Sequence, residues 1–184
     1  MRKTAALLVA LCLLGSLATA VEAKVVTKTL GTDPAGDGPP ALDITYLKVG
    51  RLRADLYLEL GIDKMIPPFG GYPSLPGIEW VFDVNGRTFV AEAVADRTPQ
   101  FYFFELLEDG SFRQLENLEG GYTWTNGYIH MLVPLKAIGA KTGTVISGTE
   151  DTEGGGDVDA HVHAGPTVTH YADVMTTTRD FVVP

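Results

Sequence analysis

Three groups of residues in this chain have the types and spacing to do chemistry, and in each group that chemistry is binding. Asp33, Asp37 and Asp43 bring three carboxylates into one short stretch, with Gly36 between them to permit a tight path. Hard oxygen ligands of this kind suit calcium. The same residues are ordinary turn formers as well, since Asp side chains bond their own backbone, and the spacing matches no strict calcium motif. In Asp157-Val158-Asp159-Ala160-His161-Val162-His163, the two histidines are two residues apart and share one face of a strand. With His170 as a third ligand after a turn at Gly165-Pro166, and Asp157 or Asp159 as an oxygen donor, they form a set for zinc or copper. A solvent-facing strand shows the same polar alternation with no metal. The third group is aromatic: Phe69 and Tyr72 in a proline-rich stretch, and Tyr128 on the outer face of a strand, are the rings best placed to meet a ligand.

Other chemistries lack support. There is no Gly-x-Ser-x-Gly elbow around Ser74, Ser111 or Ser147, no phosphate loop and no dinucleotide fingerprint. With 23 acidic residues some carboxylate pairs arise by chance, so acid catalysis does not follow from them. The formal charge of −9 disfavours nucleic acid and anionic lipid as partners. The balance favours a binding protein over an enzyme.

The N-terminus has the form of a cleavable export signal. Arg2 and Lys3 precede the uncharged run Ala5 to Leu17, and Ala18-Thr19-Ala20 supplies the small-x-small cleavage pattern, with Val21-Glu22-Ala23 as an alternative site. The run is about thirteen residues, whereas a spanning helix needs about twenty, so no membrane span is expected in the mature chain. Cys12, the only cysteine, lies inside that run behind Leu11, which does not suit a lipoprotein site. Cleavage after residue 20 removes two basic residues and no acidic one, leaving a more acidic, cysteine-free domain over residues 24–184. A secreted or periplasmic cell-envelope location is expected, and a domain of this length can bury a core without disulfides.

The elements that position the candidate residues read as strands. Arg51 to Leu60 alternates throughout, with Leu52, Ala54, Leu56, Leu58 and Leu60 on one face and Arg51, Arg53, Asp55, Tyr57 and Glu59 on the other. Leu42 to Val49 is rich in β-branched and apolar residues, and Gly50 between the two segments predicts a hairpin turn. In Ile78 to Val94, the Asn85-Gly86 pair predicts a two-residue turn. Its register sets Phe82 opposite Phe89, Trp80 opposite Ala91 and Ile78 opposite Ala93 on one apolar face. The same register opposes Glu79 to Glu92, a repulsion that a cation, solvent screening or a nearby base such as Arg87 would relieve. Asn126-Gly127 predicts a second such hairpin, with Trp124 opposite Ile129 and Tyr122 opposite Met131, leaving Thr123 and His130 outside. Phe101 to Leu107, Phe112 to Leu118, Gly143 to Gly148 and Arg179 to Val183 read as further strands, and Pro134 to Gly139 as one short helical turn. The long stretch Asp63 to Pro76 reads as an ordered loop, and Thr149 to Gly156 as a mobile one. The class is all-β: a single antiparallel β-sandwich of immunoglobulin or jelly-roll type.

The run Asp33-Pro34-Ala35-Gly36-Asp37 followed by Leu42-Asp43-Ile44-Thr45 resembles the opening of the DOMON and family-nine carbohydrate-binding-module-like sandwiches. Val133-Pro134-Leu135-Lys136-Ala137-Ile138-Gly139 is similar to the strand, proline and short turn near the end of that fold. The resemblance covers most of residues 30–184. It implies an exported ligand-binding sandwich, often with a structural calcium, whose partner is a sugar, haem or a protein neighbour. No methionine and histidine pair suits haem, and paired sugar-stacking aromatics are not found at the positions the resemblance would use. His-Val-His is also similar to copper-zinc superoxide dismutase, but that enzyme's cysteines and other ligands are missing. The expected function is therefore non-enzymatic and calcium-stabilised, with extracellular carbohydrate as ligand. A cell-surface protein-interaction domain and a histidine-based transition-metal protein are the alternatives.

Overall fold

The computed structural model describes residues 25–64, 75–94, 98–123, 127–149, 157–164 and 167–184, with backbone alone at 75–76, 163–164 and 167–172. The stretch read as an export signal, Phe69, Tyr72, Trp124, Asn126, most of the two stretches read as long loops and the side chains of His163 and His170 lie outside the described residues.

Among the described residues thirteen strands run in chain order: β1 (Thr27–Thr32), β2 (Ile44–Leu52), β3 (Asp55–Ile62), β4 (Leu75–Val84), β5 (Arg87–Val94), β6 (Gln100–Leu106), β7 (Phe112–Asn117), β8 (Glu119–Thr123), β9 (Tyr128–Pro134), β10 (Val145–Gly148), β11 (Val158–Ala164), β12 (Thr167–Met175) and β13 (Phe181–Val182). They form two antiparallel sheets. One has the order β1-β2-β3-β9-β8, and the other β12-β11-β4-β5-β6-β7, with β10 joining the C-terminal half of β4 and pairing β13. The sheets pack face to face as a β-sandwich, the class the strand pattern predicts.

The β4–β5 hairpin has the predicted register at every position, including Phe82 opposite Phe89 and Glu79 opposite Glu92. Asn85 and Gly86 have φ of 54° and 75°, the doubly positive turn that an Asn-Gly pair favours. The rings of Trp80, Phe82, Phe89 and Phe103 follow one another at centroid spacings of 4.4, 5.9 and 5.6 Å. They pack with Leu56, Leu58, Leu60, Ile129, Met131 and Val133 of the other sheet into one core.

Three local expectations are corrected. Gly50 is inside β2, and the β2–β3 turn falls at Arg53-Ala54, with Leu52 opposite Asp55. A Cβ on Gly50 would come within 2.8 Å of Val25 and of the Val26 carbonyl, so this glycine serves the close approach of the chain beside it. Arg53 takes the turn at φ 57°, and Leu52 falls on the opposite face from Leu56. In the β8–β9 hairpin, Tyr122 opposes Ile129 and not Met131, because the connection is two residues longer than a tight Asn-Gly turn. An even slip keeps every side chain on its face, so Thr123 and His130 still face outward. Pro134 to Gly139 forms successive four-residue turns in place of a helical one: Ala137 N–H donates to Pro134 O at 2.9 Å and Gly139 N–H to Lys136 O at 3.2 Å. No helix occurs among the described residues, and none there is long and apolar enough to cross a membrane.

The middle of the eight-stranded sheet is buried on both faces. Opposite the core side, Val81, Val90, Glu92, Asp159 and His161 are buried too.

Candidate functional site

Three constellations result, one at the β1–β2 loop and one on the outer face of each sheet. In the loop, Asp33 and Asp37 come together with Asp173 of β12, their carboxylate oxygens within 4.8 Å of one another. Sequence distance hid Asp173, which arrives because β12 ends beside the start of β2: its Oδ2 accepts from Ile44 N–H at 2.7 Å and its Oδ1 from Val174 N–H at 2.9 Å. Gly38 lets it in, since a Cβ there would be 3.2 Å from the Asp173 Cβ. Asp43 is fully buried behind this group, and its Oδ2 accepts from Gly36 N–H at 2.6 Å. The Asp43 Oδ1 and Asp33 Oδ2 atoms are buried with no hydrogen-bond partner.

Burial and the charges of Asp37 and Asp43 push the Asp33 carboxyl above its ordinary value. Burial likewise raises Asp173, against the backbone bonds that favour its charge, with Asp33 and Asp37 adding to the rise. Oxygen ligands on opposite sides of a calcium ion lie about 4.8 Å apart, twice the usual calcium–oxygen distance. Hard donors, buried oxygens left without hydrogen bonds and mutually repelling charges all fit a calcium ion held by Asp33, Asp37 and Asp173 with Asp43 behind.

The outer face of the five-stranded sheet carries an aromatic field around one carboxylate. In register across β2, β3, β9 and β8, one row is Lys48, Glu59, His130 and Gly121, and the next is Tyr46, Gly61, Tyr128 and Thr123. Tyr57 stands in the row beyond, opposite Gly50. Glu59 Oε1 accepts from Tyr46 Oη–H at 3.0 Å and Lys48 Nζ at 2.9 Å, while Oε2 accepts from Tyr57 Oη–H at 3.1 Å. The glycines let rings lie along the sheet. A Cβ on Gly61 would be 2.2 Å from Tyr46 Cε1, and one on Gly121 would be 2.8 Å from His130 Cε1. The His130 ring is 6.1 Å from that of Tyr57 and 6.4 Å from that of Tyr128, and Lys48 Nζ sits 4.1 Å over the Tyr46 ring. All four rings remain half-exposed.

Burial opposes the charge of Glu59, but the bonds from Lys48, Tyr46 and Tyr57 outweigh it and hold the carboxyl below its ordinary value. Burial, then the Glu59 charge, pushes both tyrosine hydroxyls up, so they stay protonated donors. Burial lowers His130 against the pull of Glu59, leaving a neutral imidazole at neutral pH. Of the predicted ligand-facing aromatics, Tyr128 belongs to this field. Alternation already pointed Tyr57 and Glu59 outward. What the sequence lacked was the strand order that sets them beside His130 and Tyr46.

On the outer face of the other sheet, Glu79, Glu92 and His161 converge, each offering a ligand atom within 4.8 Å of the others. His161 comes from the predicted histidine pair, and the two glutamates from the predicted repulsive pair. The strand order β11-β4-β5 joins them. His163 and His170 are placed by backbone alone, opposite Leu75 and Val162.

Comparison with known protein families, curated proteins and solved structures gave no match to this chain.

Proposed function

We propose that this chain is an exported, non-enzymatic binding sandwich of DOMON-like type that holds a carbohydrate on the outer face of its five-stranded sheet, with calcium pinning the β1–β2 loop. The observation that carries the reading is the field of Tyr46, Tyr57, Tyr128 and His130 around Glu59, with glycines beside the Tyr46 and His130 rings that let them lie along the sheet. A pyranose offers an apolar C–H face and a rim of hydroxyls. Half-exposed ring faces meet the first, and the Lys48 amine, the imidazole and the remaining acceptor capacity of Glu59 meet the second. Glu59 is already engaged by three donors, which suits a group that orients rings better than one that attacks a bond.

The test is a glycan array followed by titration calorimetry on its best ligand. Tyr57→Ala and Tyr128→Ala are each expected to weaken binding about tenfold, or about 1.4 kcal/mol. An array with no hits, or full affinity in both variants, removes the carbohydrate reading.

A further inference from the structure

We propose that Glu79, Glu92 and His161 form a second metal centre, selective for a divalent transition ion of borderline hardness, with Zn2+ as its first choice. The centre is separate from the calcium loop and from the carbohydrate face. The two glutamates are fixed as cross-strand partners by the Asn85-Gly86 turn, and Asp159 of β11 extends the same row on the other side of Glu79. Three carboxylates thus stand in register across β11, β4 and β5, on a face where Asp159 is 0% and Glu92 6% exposed. His161, two residues beyond Asp159 on the same strand, is 0% exposed and directs its Nε2 to within 3.1 Å of Glu92 Oε1. A dication among these groups would be attracted by each carboxylate, and the imidazole would add a nitrogen donor to their oxygens.

The donor set specifies the ion. One imidazole nitrogen and two carboxylate oxygens are softer than the all-oxygen shell that calcium takes, and match the mixed ligands of zinc. Adjacent ligands of a tetrahedral zinc ion are about 3.3 Å apart, given a metal–ligand distance of about 2.0–2.1 Å. The Glu92–His161 pair is already at that spacing, and an outer limit of 4.8 Å for the group requires only side-chain movement of the half-exposed Glu79. Metal binding uses the Nε2 lone pair, so the ion would take the place of the Nε2–Oε1 contact and the neutral ring would carry its proton on Nδ1. Three protein ligands leave a fourth position for water or an incoming group.

The experiment titrates the full mature protein, stripped with chelator and reloaded with saturating calcium, with Zn2+ by calorimetry and with Co2+ by visible absorption. The expected result is one Zn2+ site per chain and a Co2+ ligand-field spectrum of low coordination number that excess calcium does not displace. His161→Ala should abolish both. Because His161 is buried and its loss can disturb folding, Glu79→Gln is the second variant: it is expected to stay folded by circular dichroism and to weaken Zn2+ at least tenfold. A purely structural role for the cluster would change melting temperature and leave the Zn2+ titration and Co2+ spectrum as in the wild type. Absence of a stoichiometric site in the wild type, displacement of Co2+ by calcium, or unaltered Zn2+ affinity in folded Glu79→Gln would each overturn the proposal.

Discussion

Asp37→Asn should make the protein slightly more stable without calcium and less responsive to it. Asp37 is exposed and accepts none of the backbone hydrogen bonds that hold Asp43 and Asp173, so the variant should retain the loop. Its charge raises the pKa of both Asp33 and Asp173, which is repulsion in the folded state. Removing it from an exposed position should raise the stability of the calcium-free protein by a few tenths of a kcal/mol, in line with the small effects of surface charges. With calcium the sign reverses. If the site binds with a Kd of about 0.1 mM, in the range of extracellular modules, calcium at about 1 mM stabilises the wild type by RT ln 11, or about 1.4 kcal/mol. A domain of this size gains about 2–4 °C per kcal/mol, so the melting temperature should rise by roughly 3–6 °C. Loss of one charged ligand, taken as a tenfold weakening, leaves about 0.4 kcal/mol and roughly 1 °C. Thermal melts of both proteins in chelator and in calcium measure all four numbers. A wild type that melts identically in both buffers, or a variant with the full calcium shift, refutes the reasoning.

Further expectations concern acid, packing and the ring field. Glu105 is held down to about 2 by hydrogen bonds from Arg87, at 2.6 Å, and from Arg113. A depressed carboxyl contributes stability that is complete above its unfolded value of about 4.5 and is lost as pH falls toward 2, so urea midpoints should drop across that window and drop less in Glu105→Gln. Asp33 and Asp173 have the opposite sign: their raised values mean that the proton stabilises the calcium-free fold below about 4, and that gain disappears as pH rises through the folded values. The calcium-induced melting shift should accordingly shrink as pH is lowered from 7 to 4. Gly148→Ala would place a Cβ 1.5 Å from Asp157 Oδ2 and 2.3 Å from Thr177 Oγ1, against a carboxylate that already accepts from Thr177 N–H at 2.6 Å. Chemical denaturation should show a loss of about 3 kcal/mol, the upper end for overpacking. Gly61→Ala should displace the Tyr46 ring, and its signature is lost carbohydrate affinity with calcium response intact.

The fold was legible where turn chemistry and alternation agreed. Asn85-Gly86 has the one backbone geometry that joins two adjacent strands without slack, so a single pair of residues set the register of all of β4 and β5. Asn126-Gly127 is the same pair of letters, yet its hairpin closes two residues further out. There the packing of Tyr122 against the core and the ring of Phe101, at 5.7 Å, accompanies a wider connection. The face of each residue survived because the slip was even. At Arg53-Ala54 the turn has no Gly, Asn or Asp in it, and nothing in local propensity marks it. The glycine that should have marked a turn is instead at Gly50, where the reason for it lies in a neighbouring chain segment that no local window contains.

The sites were legible as halves. Each constellation joins residues whose types were visible to partners that only strand order supplies: Asp33 and Asp37 to Asp173, Tyr128 to Tyr57 and His130, and Glu79 and Glu92 to His161. The reason is physical. In an antiparallel sheet, side chains meet across strands at positions set by non-local pairing, and the sequence pattern specifies the face but not the neighbour. The β4–β5 register created a like-charge pair that local reasoning could explain equally by screening or by a nearby base. The arrival of β11 on the open side of β4 is what adds an imidazole to that pair, and it changes the chemistry from repulsion between two carboxylates to a mixed nitrogen and oxygen set. A residue that looks unfavourable in one hairpin is therefore to be weighed against the third strand that completes the row.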